Sequence, residues 1–386
     1  MSLLLNLQRT LEDLQAAITI AVYHRNCWLL IGHAIRLATE MGVDQAFAKL
    51  AARGMGSSPN AMVEDRDLVI RTRLWLALYS HEAQMSFGDG QTPMIREMEG
   101  LSQCRRFLDH PLSTPSDVRL VALVELLVLR EPLHTRLSIP GSVPHRQDLS
   151  AMLSKFRTDL NAWYAHYDMV MRERLGLEPS SYYRESLRTQ REYASLFANS
   201  LLLREVAQAS DLLRLSDEEY ILALSAARSA QTCLDIVVNG SSYPKNMPYA
   251  IPHTRLSVAF ATSFLLRTGK LFPDRLDPGA TMQQVDGAIT LLDQCGASRL
   301  ARALRFMRDR MNKTWEQGDG ALPPGGLDAS LPNGQGQEIA SVPDFDLAFG
   351  LTQGGGEMSN FDFQFDALFD PSRHPLAFGD PNLFQT

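Results

Sequence analysis

Apolar residues recur along the first four-fifths of this chain with the 3.6-residue period of a helix. Leu11, Leu14, Ala17, Ile18, Ala21 and Val22 share one face, and a polar break at His24-Arg25-Asn26 separates them from Trp28, Ile31, Ile35, Ala38 and Met41. Gly42 then stops the second run, so the pair reads as a helical hairpin. A Gly- and Ser-rich loop, Gly54–Asn60, precedes a third pattern over Asp67–Ser86, with Leu68, Ile70, Leu74, Ala77, Leu78 and Met85 in register before Gly88 and Gly90. Phe87-Gly88-Asp89-Gly90 reads as a helix stop, because no strand precedes it. Further helices are predicted over Asp117–Leu129, Arg146–Arg174, Leu187–Leu215, Asp217–Val238, Leu256–Thr268 and Met282–Trp315. Ser216-Asp217-Glu218-Glu219 is the clearest start signal, a capping hydroxyl followed by acids that meet the helix dipole. Strand-like alternation is almost absent. The expectation is an all-α body, a multi-helix domain of antiparallel helices over residues 1–316, with no internal boundary strong enough to divide it.

From Gln317 onward the composition changes. The last seventy residues hold ten acidic side chains and one basic one, Arg373, so the net charge of −7 for the whole chain comes from this tail while the body is close to neutral. Eight of the 17 phenylalanines also lie here. Charge with Gly and Pro opposes collapse, and acid-separated aromatics are the composition of a disordered activation segment. Residues 317–386 are therefore predicted to be a disordered acidic tail that offers Phe345, Phe349, Phe361, Phe363, Phe365, Leu368 and Phe369 to a groove on a transcriptional coactivator. Helical spacing groups Phe361, Phe365, Leu368 and Phe369, whereas period two groups Phe361, Phe363 and Phe365; both conformations remain open. An acidic tail that serves only solubility is the plainer alternative.

The chemistry of catalysis is missing from the sequence. There is no nucleophile elbow, phosphate loop, His-Glu-x-x-His or dinucleotide fingerprint. Cys27, Cys104, Cys233 and Cys295 are too far apart for zinc-ligand spacing and read as small core residues, so no metal or cofactor is expected in this chain. His33 and His81 read as hydrogen-bonded interior or rim residues rather than bases. No apolar run approaches the roughly 20 residues of a membrane span, and Met1–Leu5 lacks a signal-peptide pattern. An intracellular protein without membrane contact is expected. The near-neutral body offers little phosphate-neutralising surface, so direct nucleic-acid binding by this chain alone is not expected. Arg299, Arg302, Arg305, Arg308 and Arg310 form a basic stripe, either a solvated face or a partner for acid, including the acidic tail itself.

Two blocks carry a family likeness. Asn26–Gly42, with Trp28, Gly32, Ala34, Arg36, Ala38 and Gly42, resembles the "W-x-x-x-G-x-A-x-R-x-A-x-x-x-G" helix in the middle homology domain of fungal zinc-cluster transcription factors. Arg71–Tyr79, with Arg73, Trp75 and Tyr79, resembles that family's "R-R-x-W-x-x-L-Y" helix, and Gly90 with Pro93 resembles its glycine-proline loop. Phe107–Glu125 is similar to a further block of one branch. In this chain Gln91-Thr92-Pro93 stands where the family commonly has Arg-Pro. The resemblance covers roughly Thr10 to Gly269 and implies a nuclear transcriptional regulator, an activator, whose helical domain answers a small-molecule effector, a homodimer mate or a related DNA-binding regulator. It implies structural roles for these positions: close helix approach at Gly32, core area from Trp28 and Trp75, and helix termini tied by Arg36 or Arg73. Zinc is expected only if a six-cysteine cluster lies N-terminal to Met1; either the chain is a regulatory and activation fragment, or it is a shortened relative. A co-regulator acting through a partner protein is the alternative, and an α-helical enzyme the third.

Overall fold

The computed structural model describes residues 10–317 apart from 24–26, 57–60, 89–92, 96–98, 138–145, 204, 205, 207, 208, 270, 273 and 274. The predicted activation residues therefore lie outside the described residues. Among those described, every regular element is helical and there is no strand. In order, these are α1 (Leu11–Tyr23), α2 (Cys27–Glu40), α3 (Ala46–Ala52), α4 (Ala61–Glu64), α5 (Arg66–Gly88), α6 (Glu99–Ser102), α7 (Pro115–Leu137) and α8 (Arg146–Met169). Then follow α9 (Tyr182–Ser200), α10 (Asp217–Asn239), α11 (Tyr243–Asn246), α12 (Pro252–Thr268), α13 (Pro278–Gln294) and α14 (Ser298–Gln317).

Side-chain caps start several of these helices. In α1 the Asp13 amide donates to Thr10 Oγ1 and the Thr10 amide to Asp13 Oδ2, each at 3.1 Å. Ser216 and Glu219 make the same reciprocal box on α10, as the Ser-Asp-Glu-Glu signal predicts. At the end of α2, Gly42 adopts φ +66°, and the Val43 and Gly42 amides close onto Ala38 and Thr39 carbonyls, so the helix stops where the sequence places its stop.

Two predicted helices are shorter than expected. Leu187–Leu215 is interrupted after Ser200, where Leu201, Leu202 and Leu203, all buried, leave the α-helix. The chain tightens there into a 3₁₀ turn, an arrangement common at the C-terminus of an α-helix. Met282–Trp315 is two helices, broken at Cys295-Gly296, where Gly296 takes φ +77° and the Ala297 amide bonds the Leu292 carbonyl. The regular spacing of the arginines masked this stop. At its far end α8 widens into a π turn over Val170–Arg174.

The apolar residues form two cores. The first gathers α1 to α3 and α5 to α8 with part of α9 and Leu222 of α10, around Tyr79, Phe107, Trp163 and Tyr167; the second gathers most of α10 with α11 to α14 around Phe264 and Phe272. Helix α9 contributes to both, with Leu187, Ala194 and Ala198 in the first and Leu196 in the second. By length and apolarity α10 could cross a membrane, with a mean hydropathy of 1.4 over its most apolar stretch. Its packing against α9, α12 and α13 supplies another reason for that apolarity: it is the central strut of the second core.

Candidate functional site

The family-like positions fall on α2, α5 and the loop after α5. Trp75 and Tyr79 are buried in the first core, whereas Trp28 is only half-buried. Gly32 is not required for helix contact: a Cβ added there would lie 3.7 Å from Met94 Sδ, an ordinary distance, so the expected close approach of two helices is not what the residue provides. Arg36 is exposed. Tying of termini falls instead to the two arginines of α5. Arg73 grips Asp117 with Nε and Nη2, both at 2.8 Å, and donates to the Leu112 carbonyl at 2.8 Å. Asp117 also accepts from the amide and hydroxyl of Thr114, so one buried carboxylate caps α7 and anchors α5 to it. Arg71 bonds the Met41 carbonyl at the end of α2 at 2.9 Å, a contact the sequence reading assigned to no residue. Pro93 is half-buried, and Gly90 lies outside the described residues.

Beside Pro93, the fully buried Glu82 holds the loop: Oε1 accepts from the Met94 amide and from Ser86 Oγ, each at 2.7 Å. Burial raises its carboxyl above the ordinary range, against the opposing pull of those bonds. Nearby, the buried guanidinium of Arg130 lies between the rings of Phe197, Phe87 and Tyr193 at 5.0, 5.4 and 5.7 Å. Phe87 also stacks on His134, at 4.5 Å. His81 is half-buried, and desolvation pushes its imidazole down to about 4, which leaves it neutral near pH 7. These groups rivet α5, α7 and α9 at the junction of the two cores. Among the described residues no group of three or more His, Cys, Asp and Glu could hold a metal ion. Cys104, Cys233 and Cys295 are free and buried, and desolvation raises each thiol, which is the reverse of an activated nucleophile.

The opposite face of α9 carries a cavity of about 200 Å³ between α8, α9 and α10. Its floor is polar. Glu192, Ser195 and Asn199 on α9 and Ser225, Ser229 and Thr232 on α10 recur at i, i+3 or i+4, and i+7, and the two stripes face each other. Ser229 Oγ lies 2.9 Å from Glu192 Oε2 and 3.0 Å from Ser195 Oγ, and Asn199 Nδ2 donates to Ser195 Oγ at 3.3 Å. Arg191 crosses one wall, bonded to Glu192 and to Asn161 Oδ1 at 3.0 Å, with its guanidinium 4.9 Å from the Tyr164 ring. Arg157 and Arg228 stand exposed at the rim. Sequence reading missed this site, although polar residues at helical spacing on two otherwise apolar helices were its signal. The arrangement can bind and orient a polar molecule; it contains no His or Cys for proton or acyl transfer.

The basic stripe of α14 is largely occupied. Arg305 pairs with Asp293 at 2.6 Å, and Arg308 pairs with Asp286 and with Asp309, which sutures α14 to α13. Arg302 is exposed but also acts on the Asp293 carboxylate, so an acidic tail would have to compete with these local carboxylates.

No protein-family model matches the chain, and no solved structure matches it. It is similar to the transcriptional activator of proteases prtT of Emericella nidulans, at 26% identity over 393 residues, which cover 96% of this chain and 56% of that protein. Shorter matches join it to proteins of the same description from Aspergillus clavatus, 30% identical over 79 residues, and Aspergillus fumigatus, 29% over 75. The latter two cover 20% and 19% of this chain and 12% and 11% of those proteins. The chain thus spans a little over half the length of the curated relative it matches from end to end. Along nearly its entire length the chain is similar to a fungal transcriptional activator.

Proposed function

We propose that this chain is a transcriptional regulator, an activator that works in the nucleus, with a helical regulatory body and an acidic, Phe-rich activation segment. The observation that carries the reading is the combination of similarity over 96% of the chain to a transcriptional activator with a tail of ten acids and eight phenylalanines against one basic residue. The body supports it by what it contains: Arg73–Asp117 fixes α5 against α7, and Glu82 fixes the loop after α5 at Met94. In this reading residues 1–316 set the exposure of the tail through an effector or partner, and residues 317–386 contact coactivators.

The test is a reporter assay with the full chain fused to a heterologous DNA-binding domain. Activation well above the DNA-binding domain alone is expected, with most of it lost when Phe361, Phe365 and Phe369 are replaced together by Ala, since aromatic anchors dominate such interfaces. An inert fusion present at normal abundance, or a triple variant as active as the parent, refutes the proposal.

A further inference from the structure

The cavity between α8, α9 and α10 lies where the two cores meet, and its chemistry restricts what it can hold. Helix pairs in a protein interior normally present apolar residues to each other, because a polar group taken from water without a partner costs on the order of 1–3 kcal/mol. Here α9 and α10, which otherwise pack through Ala, Leu and Val, turn matched stripes of Ser, Asn, Glu and Thr inward. Asn199 and Ser229 are 3% and 5% exposed, so these are interior side chains and not a solvated rim. Their small size opens the space. At 200 Å³ it holds about seven waters at liquid density, or one compact organic molecule.

Charge narrows the class further. Three guanidinium groups, Arg157, Arg191 and Arg228, face one carboxylate, Glu192. Arg191 and Glu192 neutralise each other at 3.1 Å, while Arg157 and Arg228 make no ion pair among the described residues. The unbalanced charge is therefore the pair of rim arginines, one from α8 and one from α10, above a floor of hydroxyl, amide and carboxylate groups. A wholly apolar ligand would match Phe156 and Leu160 but leave the hydroxyl and amide groups and the two arginines without a partner in the cavity. A cation would meet the two arginines. A small anion that also carries donors and acceptors satisfies both layers, and a carboxylate matches the guanidinium fork.

We propose that this cavity binds a small organic acid, a carboxylate bearing hydroxyl or amino groups, with its carboxylate on Arg157 and Arg228 and its remaining polar groups on Ser195, Asn199 and Ser229. The site deepens the regulatory reading above and rests on it for its meaning. Because α8 belongs to the first core and most of α10 to the second, a ligand held by both helices stabilises one arrangement of the two cores, which is how an effector bound there acts on the rest of the chain.

The experiment is calorimetric titration of the purified full chain with malate, glutamate, inorganic phosphate and glycerol. It involves no transcription, so its failure is distinct from failure of the reporter assay. Saturable binding of malate or glutamate is expected, weakened about tenfold or more by Arg157→Gln or Arg228→Gln, a loss of about 1.4 kcal/mol. Both positions are exposed, so the variants should fold, which circular dichroism verifies. Arg228→Lys should retain more affinity than Arg228→Gln, because it keeps the charge but not the fork. Phosphate binding tighter than either acid overturns the assignment to a carboxylate. Acid binding that both Gln variants leave unchanged places the ligand elsewhere, and no saturable binding by any anion up to about 10 mM overturns the site altogether.

Discussion

Replacing Arg73 by Met tests whether the α5–α7 rivet holds the first core together. The substitution keeps most of the aliphatic stem and removes two bonds to Asp117 and one to the Leu112 carbonyl, all at 2.8 Å. The Asp117 side chain is 3% exposed and that of Arg73 32%, so the carboxylate cannot regain water without local unfolding. Removing one member of a buried pair costs about 3–5 kcal/mol when the other is left alone. Asp117 keeps two donors from Thr114, which places the expectation at the lower end, about 3 kcal/mol. Arg73→Lys restores the charge but not the fork and should recover about half. Urea unfolding followed by circular dichroism reads the effect as a lower midpoint with an unchanged slope. A double-mutant cycle with Asp117→Asn should give a coupling of about 2 kcal/mol, within the range found for contacting charged partners. A loss below about 1 kcal/mol for Arg73→Met, or a coupling near zero, would show that the contact only decorates the surface of the two helices, as exposed ion pairs often do.

Two further predictions concern other parts of the body. Glu82 has its carboxyl raised by burial above the ordinary value of 4.5, so the folded state holds a proton that the unfolded chain has released, and stability falls as pH rises from 4.5 through the folded value. Glu82→Gln should remove that slope and be at least as stable as the parent at neutral pH, with the difference shrinking toward pH 4.5; thermal melts across pH 4.5–8 that stay parallel would contradict it. Gly296 sits at φ +77° with nothing within 4 Å of an added Cβ, so Gly296→Ala meets backbone strain without a clash and should cost about 1–2 kcal/mol in the same urea assay, while a neutral result would mean the α13–α14 turn relaxes at no cost.

The sequence by itself determined the helical class and most element positions. Apolar spacing on one face, with caps at Thr10 and Ser216 and the Gly42 stop, is local information, and each lies within a few residues of the structure it specifies. Where the apolar period was outweighed, as at Gly296, a left-handed backbone position decided the break. Tail composition was equally legible, because charge and aromatic content need no fold to be read. Arg73, Trp75 and Tyr79 could be named from a family-like pattern, but not their partners: Asp117 is 44 residues from Arg73, and only the docking of α7 on α5 makes that carboxylate its acceptor. Tertiary structure alone decided that the arginines of α14 are engaged by Asp286 and Asp293, and that Phe87, Tyr193 and Phe197 enclose Arg130. It alone turned Ser195, Asn199, Ser225 and Ser229 inward to one cavity. A helix records which of its faces is polar, whereas the element that face meets is set by packing between residues far apart in the chain, and a binding site is made at that second step.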